Sequence, residues 1–181
     1  MKAEPKIVVL SGESGCGKTT LCAQVVAQAQ ARGLAVAGVL TPPRLVNGRK
    51  VGLDVIDLRT GQRRPLAEAV AATDGPATGS WHFHAAGLAW GTTILRHATP
   101  CDLLIMDELG PLELLRGQGW TVGLDLLHAG RYRLALVVVR PELLPHLQER
   151  LDGRELLILT MTEANRDAVF EQITALLGGD A

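Results

Sequence analysis

The sequence has almost no net charge, because 18 lysines and arginines and 19 aspartates and glutamates leave a formal charge of −1 at pH 7. A chain without a basic excess produces no field that would attract nucleic acid or an anionic lipid surface. The sequence also lacks any apolar run of about 18 residues, the length that a membrane-spanning helix requires. We therefore expect neither a nucleic-acid partner nor a membrane association.

Cysteine is scarce as well. Cys16, Cys22 and Cys101 are odd in number and lack the paired spacing of a metal site. Free thiols in a reducing compartment are the simplest interpretation. The first residues, MKAEPK, lead directly into an apolar strand pattern without the hydrophobic segment of a signal peptide. We expect a cytoplasmic protein, and a monomer is the default expectation because no pattern defines an oligomer.

The chain does contain 47% hydrophobic residues, arranged in short runs, which is enough apolar side chain for a full core. Strand patterns occur in KIVVL, LAVAGVLT, DLLIMDELG, LALVVV and ELLILT, with helical spacing between them. Alternating strands and helices predict an α/β fold with a mainly parallel sheet and helices on both faces. We expect residues 1–181 to form a single domain with about five parallel core strands, the first of them central.

One segment departs from this alternation. Residues 44–60 contain Asn47-Gly48, a strong hairpin turn signal, followed by the alternating pattern VGLDVIDL. This pattern predicts a β-hairpin that is inserted between the core units. We expect the hairpin to project near the functional site.

The stretch from Gly12 to Thr19, GESGCGKT, matches the phosphate-loop pattern G-x-x-x-x-G-K-[ST] without a gap. Its glycines allow positive φ angles, so that successive backbone N–H groups turn inward and bind an anion. The positive end of the helix that follows strengthens this anion site. In such a loop Lys18 reaches the β- and γ-phosphate oxygens, and the Thr19 hydroxyl is a ligand of Mg²⁺. Because the motif follows a strand and opens a helix, it predicts binding of a nucleoside triphosphate or diphosphate.

Cys16 lies inside this loop, beside the helix N-terminus and Lys18. Such surroundings favour a reactive thiol. Alternatively, Cys16 is a small residue that is tolerated where the backbone makes the contacts.

A second element, LLIMDE at residues 103–108, has four apolar residues followed by two acids. This pattern is typical of the Walker B strand, whose terminal aspartate, here Asp107, holds Mg²⁺ at the carboxyl end of the sheet. Glu108 can point across the γ-phosphate and activate a water molecule, as in hydrolytic P-loop proteins whose Walker A and Walker B strands are separated by an additional strand. Alternatively, Glu108 only caps the turn that follows. A protein that merely binds nucleotide needs the aspartate alone, so we favour the general base.

Several of these segments together resemble a known family. The phosphate loop, the stretch GVLTPPRLVNGRKVGLDVIDLRTG, the DELGPLELL after the Walker B strand and the late TEANRDAV are similar to the Thep-type nucleoside-triphosphatases, called cancer-related nucleoside triphosphatase in their eukaryotic form. The similarity runs in order from Val8 to about Leu176. It implies a RecA-like P-loop core and slow, Mg²⁺-dependent hydrolysis of several nucleoside triphosphates, ATP, GTP, CTP and UTP among them, to diphosphates.

The resemblance also implies site residues outside the two Walker motifs. Arg44 stands where the family has an arginine after the second strand, and Asn165-Arg166 match its Asn-Arg before the last helix. Arg140 follows a strand at the carboxyl edge of the sheet, where it can contact the γ-phosphate or remain a surface charge. Asn165 and Arg166 also follow a strand end, where they either contact base or ribose or simply start the last helix.

The candidate site therefore has three parts. The catalytic candidates are Lys18, Glu108 and Arg140, and the Mg²⁺ ligands are Thr19 and Asp107. The nucleotide-binding candidates are Gly12, Glu13, Ser14, Gly15, Cys16, Gly17, Lys18, Thr19, Thr20, Arg44, Asp107, Glu108, Leu109, Gly110, Asn165 and Arg166.

Three classes of function agree with these motifs. We favour a nucleoside-triphosphate hydrolase of broad base specificity, because of the position of Glu108 and the family resemblance. A small-molecule kinase also uses a P-loop, but its usual arginine-rich lid is poorly supported, since residues 61–79 contain only Arg63 and Arg64. A nucleotide-binding adaptor with incidental hydrolysis is the third class. The guanine-recognition pattern Asn-Lys-x-Asp is absent, which argues against a dedicated GTPase switch.

Overall fold

The computed structural model of the chain describes residues 6–70 and 72–178. In this part of the chain the strands are β1 (Lys6–Ser11), β2 (Val36–Leu40), β3 (Pro43–Val46), β4 (Arg49–Asp57), β5 (Arg63–Glu68), β6 (Ala77–Thr78), β7 (Trp81–Phe83), β8 (Cys101–Met106), β9 (Tyr132–Val138) and β10 (Leu156–Thr160). They form one mixed sheet, and β1, β2, β8, β9 and β10 are its parallel core.

The parallel strands follow the order β10-β1-β9-β8-β2. The expectation of about five parallel strands is confirmed, and so is the additional strand, β9, between the Walker A strand β1 and the Walker B strand β8. The expected central position of β1 is wrong. β10 alone lies on its outer side, as a half-exposed edge strand, and the other parallel strands all lie on its inner side.

Antiparallel strands extend the sheet beyond β2. The hairpin of β3 and β4 is confirmed, and Asn47 and Gly48 in its turn have φ angles of 48° and 75°, as a two-residue turn between twisted strands requires. The sheet then continues through β5, β7 and β6, which the sequence patterns did not predict. Strand β5, RRPLAE, escaped prediction because a proline and three charged residues hide its short apolar pattern.

The helices are α1 (Lys18–Ala31), α2 (Ala85–Arg96), α3 (Pro111–Leu114), α4 (Val122–Ala129), α5 (Leu144–Arg150) and α6 (Arg166–Gly178), with a 3₁₀ turn at Pro141–Leu143. In α1, Leu21, Val25 and Ala29 are buried at four-residue spacing, and the helix ends before Gly33, whose φ of 74° suits a glycine. None of the helices in the described residues has both the length and the apolar character needed to span a bilayer.

The sheet has a hydrophobic core on each face. Alternate residues of β1 divide between the two cores, because Val8 packs on the face covered by α1 and α6, whereas Val9 packs on the face covered by α2, α4 and α5. Helices on both faces are as predicted. The strand ends that follow β1, β2, β8 and β9 then meet at one edge of the parallel sheet, which brings the polar residues of distant segments together.

Candidate active site

The phosphate loop depends on its glycines. Gly12 has a φ of 150°, and a Cβ built on it would lie 2.3 Å from the carbonyl oxygen of Met161. Gly17 has a φ of 98°, and its Cβ would lie 2.7 Å from the Arg166 guanidinium. Any larger residue would therefore strain the backbone and collide with the segment that follows β10. The loop is held in the concave shape that an anion site needs.

Lys18 is the cation of this loop. Only 8% of Lys18 is exposed, and its ammonium donates hydrogen bonds to the carbonyl oxygens of Gly12 at 2.6 Å and Glu13 at 2.8 Å. The Sγ atom of Cys16, also buried, lies 3.8 Å from the same ammonium. These hydrogen bonds hold the Lys18 ammonium in place on the backbone of the loop that is expected to bind phosphate.

Asp107 ends the Walker B strand and is 2% exposed. Its carboxylate accepts a 3.1 Å hydrogen bond from the backbone N–H of Thr41, and the nearby Thr19 side chain also favours its ionised form. Burial, followed by the nearby charge of Glu108, raises the pKa of Asp107 to about 7. The ionised form of such a carboxylate is stabilised when a cation binds beside it.

Glu108 follows Asp107 directly, across a cis peptide bond, but has different surroundings. About a third of its side chain is exposed, and its Oε1 lies 3.5 Å from Nη2 of Arg140. Arg140 emerges after β9, as expected, and its Nη1 lies 3.8 Å from Glu142. The structure therefore joins a half-exposed carboxylate and a guanidinium, two of the catalytic candidates, at the carboxyl edge of the sheet.

The turn after Glu108 is held by a buried acid. Glu113 is 4% exposed and accepts hydrogen bonds from the backbone N–H groups of Gly110 at 2.9 Å and Trp120 at 2.8 Å. Burial raises the pKa of Glu113, and the two N–H groups oppose that shift. Leu109 is fully buried in the core, and its N–H donates to the carbonyl of Val138. The backbone around Glu108 is thus fixed from both sides.

The Walker residues surround one cavity of about 270 Å³. On one side it is lined by the phosphate loop and the start of α1, including Ser14, Gly15, Gly17, Lys18, Thr19 and Thr20. Asp107, Glu108 and Arg140 also line it, and so do Pro43, Lys50, Leu53 and Trp81 from the antiparallel extension, which lies on the other side of β9 and β8 from β1.

A smaller cavity of about 40 Å³ adjoins the first, and Thr41, Leu53, Trp81, Glu108 and Arg140 line both. Its other walls are largely apolar and aromatic, with Leu66, Phe83, Leu88 and Trp120 among them. Glu108 and Arg140 therefore stand at the junction of the two cavities.

Arg44, Asn165 and Arg166 lie outside these cavities. The Arg44 guanidinium contacts Glu68 at 2.6 Å and Asp54 at 3.4 Å, and the hydrogen bond with Glu68 raises its pKa. The Asn165 side chain accepts a hydrogen bond from the N–H of Thr162 and donates one to the carbonyl oxygen of Thr160. These two bonds fix the start of α6.

Arg166 instead contacts the backbone of the phosphate loop. Its Nη2 donates a 3.1 Å hydrogen bond to the carbonyl oxygen of Cys16. This contact and the close approach of Arg166 to Gly17 connect the last helix to the phosphate loop, an arrangement that supports the shape of the loop.

Six residues that line the larger cavity were not identified from the sequence as site residues: Thr41, Pro43, Lys50, Leu53, Trp81 and Val138. Thr41 had a usable signal, because it follows β2 and so reaches the same carboxyl edge as Asp107. Lys50 and Leu53 had no such signal, because their positions depend on how the hairpin joins the sheet through β2. Trp81, another of these six residues, lies in β7 and is half-buried.

The sequence was compared with known protein families and curated proteins. A family model described as NTPase matches residues 7–174. The chain belongs to this NTPase family. The nucleoside-triphosphatase THEP1 of Thermofilum pendens is 32% identical over 170 residues, 93% of each chain. The enzyme of the same name from Archaeoglobus fulgidus is 32% identical over 178 residues, 95% of this chain and 99% of the relative.

Two solved structures share the fold of this NTPase family member. A human cancer-related nucleoside triphosphatase, solved in solution, superposes with a TM-score of 0.72 at 23% identity, over 97% of this chain and 100% of the other. The crystal structure of THEP1 from Aquifex aeolicus gives a TM-score of 0.66 at 22% identity, over 96% and 99%. The fold and the family that the sequence patterns indicated are both confirmed.

Proposed function

We propose that the protein hydrolyses nucleoside 5′-triphosphates to diphosphates and phosphate, with Mg²⁺ as cofactor and little preference for the base. The observation that carries this proposal is the half-exposed carboxylate of Glu108 beside the buried Asp107, on the floor of the cavity that the phosphate loop lines. The names of the family relatives, nucleoside-triphosphatases, support the same activity.

The residues of this site have different roles in the proposed hydrolysis. The inward-facing N–H groups of the phosphate loop and the Lys18 ammonium bind the β- and γ-phosphates. Glu108 accepts a proton from the attacking water, and the contact with Arg140 holds the carboxylate in place. Arg140 is also positioned to stabilise charge that develops on the transferred phosphoryl group.

The residues around Asp107 fit Mg²⁺. The Thr19 and Asp107 side chains line the same cavity and lie close enough for Thr19 to favour the ionised form of Asp107, so they offer two hard oxygen donors. In residues 6–70 and 72–178 there is no group of three or more His, Cys, Asp or Glu that could hold a metal ion by itself. This is the donor set expected where substrate phosphates and water complete the coordination. The ion, when bound, neutralises charge on the β- and γ-phosphates.

The size of the smaller cavity bears on the choice between hydrolysis and transfer to a second substrate. A volume of about 40 Å³ beside Glu108 has room for a few water molecules but not for a sugar or a nucleoside. This supports water as the phosphoryl acceptor over the acceptor that a small-molecule kinase would need. An adaptor with incidental hydrolysis would need no half-exposed acid at this place.

A scan of ATP, GTP, CTP and UTP with Mg²⁺, with free phosphate as the readout, tests the proposed function. We expect all four to be hydrolysed with modestly different KM values, because Asn165 and Arg166, the candidates for base contact, bond within the chain. A preference of more than about a thousandfold would require a buried hydrogen-bonding pocket for the base and would contradict broad specificity. Cell metabolites added as acceptors would reveal a kinase by lowering free phosphate while nucleotide consumption continues.

Replacing Lys18 with alanine should remove most of the affinity for triphosphate. The variant loses the fixed cation at the β- and γ-phosphates, and charge-assisted bonds of this kind are worth about 1.5–3 kcal/mol each, or roughly 10- to 100-fold in affinity. Titration calorimetry with Mg·ATP measures the effect, and Lys6→Ala on the exposed start of β1 is a matched control. Unchanged affinity would mean that the backbone N–H groups alone suffice.

A further inference from the structure

Lys50 lines the same cavity as the phosphate loop. It is an exposed residue of β4, and its ammonium lies 5.0 Å from the centroid of the Trp81 ring. Three cations line this cavity: Lys18 on the phosphate loop, Arg140 after β9 and Lys50 on the hairpin. Because β9, β8 and β2 separate β4 from β1, Lys50 reaches the cavity from a different part of the sheet than the phosphate loop does.

Two acids of the antiparallel extension, Asp54 and Glu68, are already paired with other cations, and a third, Asp57, accepts hydrogen bonds from the backbone N–H of Arg59 and from the Thr60 hydroxyl. Asp54 contacts Arg44 and Arg63, and Glu68 contacts Arg44 and His84. Lys50 itself forms no ion pair in the part of the chain that the structure describes.

The contact of Lys50 with Trp81 is weak compared with a charge-assisted bond to phosphate. An ammonium over an aromatic ring at an exposed position is attracted only weakly, and the ring has no hydrogen-bond acceptor that would hold the donor in one direction. By contrast, Lys18 donates to two carbonyl oxygens, and Arg140 contacts Glu108 and Glu142. Among the three cations of the cavity, Lys50 is thus the one whose charge is available to a ligand at least cost.

The position of its neighbours indicates which phosphate Lys50 would reach. Leu53 and Trp81, also in the antiparallel extension, line both the larger cavity and the smaller one, which Glu108 and Arg140 also line. The phosphate loop lines the larger cavity only. Lys50 thus lines one cavity together with the phosphate loop and with Glu108, and the γ-phosphate is the part of a bound triphosphate that lies between that loop and the proposed general base.

We propose that Lys50 binds the γ-phosphate of the nucleoside triphosphate, so that the hairpin completes the site and distinguishes triphosphate from diphosphate. This inference rests on the proposed function for the identity of the ligand. A diphosphate bound to the same loop lacks the oxygens that Lys50 contacts. The hairpin ammonium is a positioning group for the reacting phosphate.

The test compares Lys50→Met with two matched variants. Methionine keeps an unbranched chain of similar length and removes the charge, Lys50→Arg keeps the charge, and Arg49→Met removes a charge from the adjacent exposed residue, which does not line the cavity. Affinities for Mg·ADP and for a non-hydrolysable Mg·ATP analogue are measured by calorimetry on the full chain, together with kcat/KM for ATP.

We expect Lys50→Met to bind the ATP analogue about tenfold more weakly or worse and to lower kcat/KM for ATP at least as much, while its affinity for ADP changes less than twofold. Lys50→Arg should recover most of the loss, and Arg49→Met should match the wild type. A loss of structure in the hairpin would affect Arg49→Met as well, so this control separates folding from contact.

Two results would overturn the proposal. If Lys50→Met binds the ATP analogue as tightly as the wild type does, Lys50 makes no phosphate contact. If affinities for the analogue and for ADP fall equally, the contact is with another part of the nucleotide. A wild-type protein that binds the ATP analogue but releases no phosphate would contradict the proposed hydrolysis, and the comparison of triphosphate with diphosphate would still decide the role of Lys50.

Discussion

Replacing Glu108 with glutamine is expected to lower kcat by about 10²- to 10⁴-fold while nucleotide affinity changes little. Glutamine keeps the shape of the side chain and an oxygen for the contact with Arg140, which lies 3.5 Å from Oε1 in the wild type. It cannot accept a proton from water. A positioned general base contributes about this much to a hydrolytic rate, so turnover falls and binding does not.

The expected result can be measured by single-turnover phosphate release alongside calorimetric titration with Mg·ATP. Glu142→Gln is the matched control, because Glu142 also contacts Arg140, at 3.8 Å, but is largely exposed and does not line either cavity. We expect this control to hydrolyse at nearly the wild-type rate. Wild-type phosphate release by Glu108→Gln would show that another group activates the water, and the adaptor interpretation would then be favoured.

The Mg·ATP affinity of Glu108→Gln also reports how the charge of Glu108 affects Asp107. The charge of Glu108 is one cause of the raised pKa of Asp107, so removing that charge makes Asp107 easier to ionise. Any change in Mg·ATP affinity should therefore be a small gain. A large loss of affinity would instead mean that Glu108 contributes to the metal site itself.

Short-range sequence patterns predicted most of the parallel core. The phosphate loop, the Walker B strand and the hairpin turn are each set by residues within about ten positions, where glycine freedom, strand burial and turn chemistry act directly. Asp107, Glu108 and Arg140 could be placed near one another because each follows a parallel strand, and parallel strands end at one edge. These features need no knowledge of how the elements pack.

The features that could not be predicted depend on packing between distant segments. The position of β1 next to the edge follows from where β10 docks, and no local pattern sets that. Arg44 lies on the hairpin as expected, but its guanidinium contacts Asp54 and Glu68, because β5 brings a second acid beside the hairpin. The same strand was not predicted, so neither this pairing nor the free charge of Lys50 could be foreseen.

Replacing Asp107 with asparagine should have opposite effects on activity and on stability. Loss of the charge weakens the site for Mg²⁺, which is expected to supply several kcal/mol of transition-state stabilisation, so both Mg·ATP binding and turnover should fall, the latter by about a thousandfold. The metal-free protein should instead become more stable at neutral pH, because the variant no longer buries an ionisable carboxylate. Asparagine still offers an oxygen to the Thr41 N–H, which the Asp107 carboxylate accepts at 3.1 Å.

The sign of the stability effect follows from the pKa of Asp107. Its folded-state value of about 7 lies above the ordinary value of 3.8, so between these pH values the folded protein binds more protons than the unfolded chain. The contribution of Asp107 to the free energy of unfolding is therefore fully present below about pH 4 and is lost as the pH rises toward 7. The asparagine side chain of Asp107→Asn does not titrate, so the free energy of unfolding of the variant does not fall in this way as the pH rises.

Thermal melting without divalent ions, at pH 5 and at pH 8, measures the difference. We expect Asp107→Asn to melt a few degrees above the wild type at pH 8, with a smaller gap at pH 5, and we expect added Mg²⁺ to narrow the gap at pH 8 by stabilising the wild type alone. Asp152→Asn, at an exposed position, should melt like the wild type at both pH values. A variant that melts below the wild type at pH 8 would contradict this account, because the Asp107 carboxylate would then stabilise the metal-free fold instead of destabilising it.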